Sequence, residues 1–210
     1  MSIIVDGRTY TKMNLGCGNK FFPDYLNVSY WEQLSSGTIY KDPNGETGAL
    51  LLNHDLSKGI PAADNSLDIV YHSHFLEHLS YKDAWIFLGE SYRVLKPGGI
   101  HRAVVPDLEL WINAYSNGNK LLFDKYLEYG LRGDNHLYGT KAAIFMGMLH
   151  NHGHKCGWDF EMLCDVLKKI GFGVVNRVMW QESSISEIAQ IEPYDGLRCL
   201  ESFCVECIKE

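Results

Sequence analysis

Six of the nine histidines lie in two short segments, and imidazole is the side chain whose charge changes most readily near neutral pH. Such groups accept or donate protons during catalysis, or bind metal ions. The first segment follows an apolar stretch, and the second precedes a stretch with helical spacing. The candidate catalytic residues are His74, His78 and His152, and the other histidines of the two segments are His72, His150 and His154.

A glycine turn at residues 12–20, Lys-Met-Asn-Leu-Gly-Cys-Gly-Asn-Lys, is the second chemical signal. The apolar lead-in predicts a strand, and glycine at Gly16 and Gly18 permits positive φ and close approach of a ligand to the backbone. Gly-x-Gly also occurs in ordinary tight turns. Two interpretations therefore remain, a plain turn and a loop that contacts an adenosine-bearing cofactor.

Length and charge limit the classes of protein to consider. The 210 residues fit a single domain, 1–210, with a net charge of −7. Without a run of Lys or Arg, wide contact with nucleic acid or an anionic membrane is not expected. No apolar stretch approaches 18 residues, and the amino terminus lacks a signal-peptide pattern, which predicts a cytoplasmic protein.

The six cysteines are too few and too scattered for a disulfide scaffold, so free thiols are expected. Cys204 and Cys207 form a Cys-x-x-Cys pair within a predicted strand. Residues three apart in a strand point to opposite faces. A redox or metal role for this pair is therefore not expected.

Strands and helices alternate along most of the chain, which predicts a parallel sheet with helices on its faces. Residues 31–48 are rich in turn formers and predict a surface loop, and residues 181–198 predict a long polar connection. Ser80 is the predicted cap of a helix that ends before residues 96–99. A first strand leads into the glycine turn, the later predicted strands are 26–30, 49–53, 67–72, 100–105, 173–180 and 202–208, and a last helix spans about 160–170.

Residues 107–150 interrupt this alternation and predict a helical insertion beside the pocket. Its aromatic and Met side chains are expected in a core more often than on a binding surface. They are Trp111, Tyr115, Tyr126, Tyr129, Tyr138, Phe145, Met146 and Met148.

The order and spacing of several short motifs resemble the class I S-adenosylmethionine-dependent methyltransferases, in particular the small methyltransferase type 11-like proteins of bacteria and phages. The resemblance implies a Rossmann-like α/β fold with a seven-stranded sheet, mainly parallel with the last strand antiparallel. Together with the alternation and spacing described above, the predicted fold has helices on both faces and a helical insertion after the fifth strand. It also implies that the cofactor lies at the carboxyl ends of the first four strands, in line with open α/β sheets in general. The motifs are Leu-Gly-Cys-Gly-Asn-Lys at 15–20, the Asp55 turn, Ser-Leu-Asp-Ile-Val-Tyr at 66–71, Leu-Glu-His-Leu at 76–79 and Tyr-Arg-Val-Leu-Lys-Pro-Gly-Gly at 92–99.

Carried over by residue, the resemblance implies that the glycine turn contacts the methionine and ribose parts of S-adenosylmethionine. Asp55 and Leu56 would meet the adenine, whose amino group suits an acidic acceptor beside an apolar wall. Asp55 also has a simpler interpretation as a turn cap. The predicted cofactor-binding residues are Leu15, Gly16, Cys17, Gly18, Ser29, Asp55, Leu56, Ser73 and His74.

Ser29 departs from the family pattern, because relatives usually have an acid there that binds both ribose hydroxyls. A charge-assisted hydrogen bond contributes about 1.5–3 kcal/mol and a neutral one about 0.5–1.5 kcal/mol. The difference predicts roughly tenfold weaker cofactor binding. Glu32 could supply the carboxylate if the strand extended further.

The motif His74-Phe-Leu-Glu77-His78 is similar to the metal-binding Glu-x-x-Glu-His of some methyltransferases, with histidine in place of the first acid. With a histidine from residues 150–154 it has the composition of a Zn²⁺ site. Metal-free relatives also carry Leu-Glu-His, and the expectation is that no metal is bound. The segment Asn-His-Gly-His at 151–154 resembles a pocket-lining loop of relatives, which implies contact with substrate.

These features together predict methyl transfer from S-adenosylmethionine to a small-molecule, sugar or lipid-precursor acceptor, on oxygen or nitrogen. Alignment of the acceptor supplies most of the rate, and a general base helps a hydroxyl acceptor. A nicotinamide oxidoreductase is disfavoured, because Phe21 stands where Gly-x-Gly-x-x-Gly needs glycine or alanine. The alternative is a methyltransferase-fold scaffold that has lost catalysis.

Overall fold

The computed structural model describes residues 3–5, 7–42, 48–128, 140–194 and 196–210. A hairpin of β1 (Ile3–Val5) and β2 (Arg8–Tyr10) precedes one eight-stranded sheet. No helix among these residues is long and apolar enough to cross a membrane. The sheet strands are β3 (Lys12–Leu15), β4 (Leu26–Ser29), β5 (Ile39–Lys41), β6 (Leu50–Asn53), β7 (Leu67–Ser73), β8 (Leu95–Pro106), β9 (Val174–Val178) and β10 (Ser202–Ile208).

The strand order is β5-β6-β4-β3-β7-β8-β10-β9, and β6, β4, β3, β7 and β8 are parallel. The last strand, β10, runs antiparallel to β8 and β9. This confirms the predicted Rossmann-like sheet, but the strand count is eight rather than seven. The additional strand is β5, which pairs antiparallel with β6 inside the predicted loop 31–48. A three-residue strand among turn formers carries too little periodicity to be predicted.

Seven α-helices are present in the described part of the chain. Ser80 caps the first helix by accepting a hydrogen bond from the amide of Asp83, as predicted. Between β8 and β9 lie three helices, the predicted insertion, followed by one more helix. The helices are α1 (Tyr81–Val94), α2 (Leu108–Asn117), α3 (Lys120–Glu128), α4 (Lys141–His150), α5 (Phe160–Ile170), α6 (Ile188–Ile191) and α7 (Arg198–Glu201).

The two long helices α1 and α5 pack against each other over one face of the sheet and enclose the main core. The segment around α6 covers the other face with Ile185, Ile188 and Ile191. The prediction of a polar connection at 181–198 was therefore wrong, because the segment is polar in composition and its isoleucines are buried only by contacts with residues distant in sequence. Cys204 and Cys207 are free and belong to the cores on opposite faces, as expected for residues three apart in β10.

The insertion helices form a third core around Trp111, Tyr126 and Met148. Tyr115 and Met146 are instead 45% and 48% exposed, so the core prediction was wrong for these two. Helical spacing shows which side chains share one face of a helix. It does not show whether that face packs against the rest of the protein. Tyr129 and Tyr138 lie outside the described residues.

Candidate active site

The glycine turn follows β3 at the carboxyl end of the sheet. Both glycines have positive φ, +65° at Gly16 and +53° at Gly18. A Cβ on Gly16 would lie 2.2 Å from the ring of Phe75, whereas a Cβ on Gly18 would meet no atom of the described residues within 4 Å. Gly16 is therefore required by packing within the protein, and only Gly18 leaves space open for a ligand.

A cleft of about 580 Å³ lies over the carboxyl ends of β3, β4, β6 and β7. Of the nine predicted cofactor-binding residues, Leu15 is absent from its lining, because its side chain is fully buried in the main core. The fold thus brings the remaining eight together from four separate segments. They are Gly16, Cys17, Gly18, Ser29, Asp55, Leu56, Ser73 and His74.

Asp55 caps the turn Leu56–Lys58 by accepting hydrogen bonds from the amide and hydroxyl of Ser57, at 3.0 and 2.7 Å. These hydrogen bonds are the main reason that the pKa of Asp55 is lowered. Both bonds fall on Oδ1, while Oδ2 lies 3.8 Å from Nζ of Lys58. Asp55 is therefore an ionised cap that also lines the cleft, so its two interpretations are compatible.

Ser29 ends β4 and lines the cleft beside Cys17, whose thiol donates to the carbonyl of Gly18 at 3.6 Å. Burial raises the pKa of that thiol to about 12, so it stays neutral. Glu32 is exposed and does not line the cleft. The strand does not extend far enough for Glu32 to replace the family carboxylate.

A second cleft, of about 700 Å³, adjoins the first and shares His74, His78 and Arg198 with it. The turn after β7 forms one wall, and residues of the insertion and of the 152–154 loop form another. The three predicted catalytic histidines all line this second cleft. Its lining is Lys20, His74, Glu77, His78, Pro106, Tyr126, Met148, His152, His154, Gly196, Leu197, Arg198 and Glu201.

His74 follows β7 with a positive φ of 53°, a conformation that is strained for a residue with a Cβ and is often found at functional sites. Its Nε2 lies 2.8 Å from Oγ of Ser202, and its Nδ1 lies 3.5 Å from Oε1 of Glu77. Burial holds the pKa of His74 well below its usual value and lowers that of His78 to about 4. Both rings are therefore neutral near neutral pH.

Glu77 is the most unusual group in this cleft, because it is only 2% exposed. Neither carboxyl oxygen has a hydrogen-bond partner among the described residues. Burial raises the pKa of Glu77 to about 8. The sequence identified Glu77 only as part of a motif and gave no sign that it is buried.

Arg198 is a site residue that sequence reasoning missed. It begins α7, lines both clefts, and donates a hydrogen bond from Nη1 to Oγ of Ser73 at 3.2 Å. No local motif marks it, since it reaches the site from the far end of the chain. Only its charge, in a predicted connection between two closing strands, could have drawn attention to it.

His72 does not belong to the site. It is fully buried under α1, and its Nε2 lies 2.9 Å from Nε2 of His101. Alternation along β7 turns His72 into the main core. His72 is therefore not available as a general base, contrary to the expectation from the sequence.

Comparison with known proteins identifies a related domain and proteins of similar fold. Residues 13–103 match the family described as "Methyltransferase domain". That match covers the glycine turn, the Asp55 turn, β7 and α1. A comparison with curated protein sequences finds no significant match.

Solved structures with a similar fold include two S-adenosylmethionine-dependent methyltransferases. The protein from Thermotoga maritima has a TM-score of 0.53 and 19% identity, with 95% of this chain and 81% of that chain covered. The protein from Archaeoglobus fulgidus has a TM-score of 0.54 and 17% identity, with 95% and 86% covered. PigF in complex with SAH has a TM-score of 0.53 and 12% identity, with 94% and 50% covered.

Residues 13–103 therefore match a methyltransferase domain, and the chain shares its fold with S-adenosylmethionine-dependent methyltransferases. These matches imply S-adenosylmethionine as the cofactor. The first cleft fits this group, because Gly18 leaves room beside the backbone and Asp55 offers an acceptor next to Leu56.

Proposed function

We propose that this protein transfers a methyl group from S-adenosylmethionine to a small-molecule acceptor, such as a sugar or lipid precursor, on oxygen or nitrogen. The observation that carries the proposal is the contact between the two clefts at His74, His78 and Arg198. When bound in the first cleft, the cofactor supplies a methyl group activated by a sulfonium. The second cleft then serves as the acceptor site.

The chain's own residues would act chiefly by positioning. Ser73 and His74 lie where the clefts meet, and His78 and His152 line the acceptor side. Holding two reactants in line contributes about 7–11 kcal/mol. A positioned base contributes less, about 10²–10⁴-fold in rate, or roughly 3–5 kcal/mol. The guanidinium of Arg198 offers a charged donor to an anionic group of either ligand.

Calorimetric titration with S-adenosylmethionine and S-adenosylhomocysteine tests the proposal directly, with NADH as the control ligand. Saturable binding of the two adenosyl ligands alone is the expected result, followed by methyl transfer in an acceptor screen. Absence of binding at millimolar ligand would overturn the proposal.

Asp55 provides a sharper test, since its carboxylate has two separable roles. Asp55→Asn keeps Oδ1 as the acceptor for Ser57 but loses the charge that we assign to the adenine amino group. We expect cofactor affinity to fall about 10–100-fold, equivalent to about 1.5–3 kcal/mol, with an unchanged melting temperature. Asp55→Ala should show the same loss of affinity and also lose about 0.5–2 kcal/mol of stability with the cap. Equal affinity in wild type and Asp55→Asn would contradict the assignment.

A methyltransferase-fold scaffold without catalysis is the second candidate, and Ser29 is the observation that favours it. The carboxylate usual in the family is missing, and Glu32 does not replace it. Such a scaffold would bind the cofactor poorly and show no turnover.

Ser29→Asp distinguishes these two candidates. We expect the restored carboxylate to raise cofactor affinity about tenfold, because it exchanges a neutral hydrogen bond for a charge-assisted one. Ser29→Asn, similar in size but uncharged, is the matched control and should give little gain. For an active enzyme, turnover persists in the variant. Tighter binding without turnover on any screened acceptor would instead favour the scaffold.

A further inference from the structure

Three potential metal ligands converge in the wall of the second cleft. The donor atoms of Glu77, His78 and His154 all lie within 4.8 Å of one another. Nε2 of His154 is 4.0 Å from Oε1 of Glu77, and the rings of His78 and His154 meet edge to face with centroids 4.7 Å apart. One carboxylate and two imidazoles form a ligand set typical of Zn²⁺ and similar divalent ions.

The carboxyl group of Glu77 lacks the partners that its burial demands. The side chain is 2% exposed, and no described residue forms a hydrogen bond with either oxygen. Nδ1 of His74 lies 3.5 Å from Oε1, beyond the usual length of a hydrogen bond. Buried carboxyl groups are normally paired or coordinate a metal, so this one points to a missing ligand.

His154 is oriented for coordination. Its Nδ1 lies 2.7 Å from the carbonyl oxygen of Met148, and because a carbonyl only accepts, Nδ1 carries the proton. The lone pair is therefore on Nε2, the atom that faces Glu77. Metal-binding histidines characteristically donate their other ring N–H to a carbonyl in this way.

The backbone holds the two ligand segments together. The amide of Lys155 donates to the carbonyl of Glu77 at 2.7 Å, and the thiol of Cys156 donates to the carbonyl of Leu79 at 3.1 Å. His152 adopts a left-handed conformation, with φ 59° and ψ 16°, and this turn directs the chain back toward Glu77. The cluster is therefore built into the fold before any ion binds.

We propose that Glu77, His78 and His154 bind a divalent transition-metal ion, with at least one coordination position open to the second cleft. Bonds of about 2.0–2.2 Å place tetrahedral ligand atoms roughly 3.3–3.6 Å apart, so separations of up to 4.8 Å among the three ligands must close by at most about 1.5 Å. Nδ1 of His74 lies 3.5 Å from Oε1 of Glu77 and can serve as a fourth ligand of the ion. Mg²⁺ and Ca²⁺ prefer all-oxygen sites and are disfavoured. The proposal replaces the expectation of a metal-free site.

The test is titration of the chelator-treated full chain with Zn²⁺ by calorimetry and with Co²⁺ by visible absorption. We expect one ion per chain, visible d–d bands and a raised melting temperature, since the ion binds the folded state. Glu77→Gln and His154→Ala should each weaken binding about 100-fold or more. The matched control is His150→Ala, which removes an exposed imidazole outside the cluster from the same segment and should bind as wild type.

Two results would overturn the proposal. One is metal affinity unchanged in Glu77→Gln and His154→Ala, each checked for folding by circular dichroism. The other is a near-ultraviolet thiolate-to-cobalt band, which would place the ion at cysteines instead. Because the readout needs no methyl donor, failure here leaves the proposed methyl transfer intact, and failure to bind S-adenosylmethionine leaves the metal site intact.

Discussion

Gly16→Ala is expected to abolish measurable binding of S-adenosylmethionine and to destabilise the protein by about 2–5 kcal/mol. An L-residue at φ +65° costs about 1–2 kcal/mol, and overpacking adds about 1–3 kcal/mol. The new Cβ would lie 2.2 Å from the ring of Phe75, which itself packs against Phe87 and cannot move freely. Either the ring or the turn must shift, and both line the first cleft.

Calorimetry and thermal unfolding measure the two effects. Gly18→Ala is the matched control for thermal unfolding, because φ is also positive at Gly18 but no atom of the described residues lies within 4 Å of the new Cβ. It should lose only the backbone contribution to stability. It is not a control for cofactor affinity, because Gly18 lines the first cleft. The double variant Gly16→Ala/Phe75→Leu should be less destabilised than the sum of its single changes. Cofactor affinity within threefold of wild type in Gly16→Ala would refute the packing argument.

Arg102→Leu is expected to lower the free energy of unfolding by about 3–5 kcal/mol, which for a chain of this size corresponds to a melting temperature lower by roughly 6–20 °C. Arg102 and Glu192 form a fully buried, bidentate ion pair with distances of 2.9 and 2.6 Å. Arg102 also donates to the carbonyl of Glu182 at 2.8 Å. Removing the guanidinium leaves an uncompensated buried carboxylate.

This ion pair matters for the site, because it fixes the segment around α6 to the sheet beside the glycine turn. Glu192 lines a small cavity there together with Gly16 and Arg198. The control is Arg102→Leu/Glu192→Leu, which removes both charges and should recover much of the loss. Stability of Arg102→Leu within 1 kcal/mol of wild type, measured by chemical denaturation, would contradict the prediction.

The local elements were predictable, because each depends on residues close in sequence. The Ser80 cap, the limits of α5 and the strand β10 follow from capping residues and side-chain periodicity. The short strand β5 and the apolar contacts of the α6 segment were not predictable. Their stability comes from pairing and burial against distant parts of the chain.

The features of the candidate site also divide into those that the sequence predicts and those that it does not. The sequence by itself determined the glycine turn, the Asp55 turn and two histidine-rich segments, because these depend on residue type and short spacing. Only the tertiary structure decided that Gly16 faces Phe75 and that Arg198 joins both clefts. It also decided that His154 lies over the buried Glu77, which has no hydrogen-bond partner among the described residues. Those relations join segments far apart in the chain, and packing of the insertion and the closing strands sets their distances.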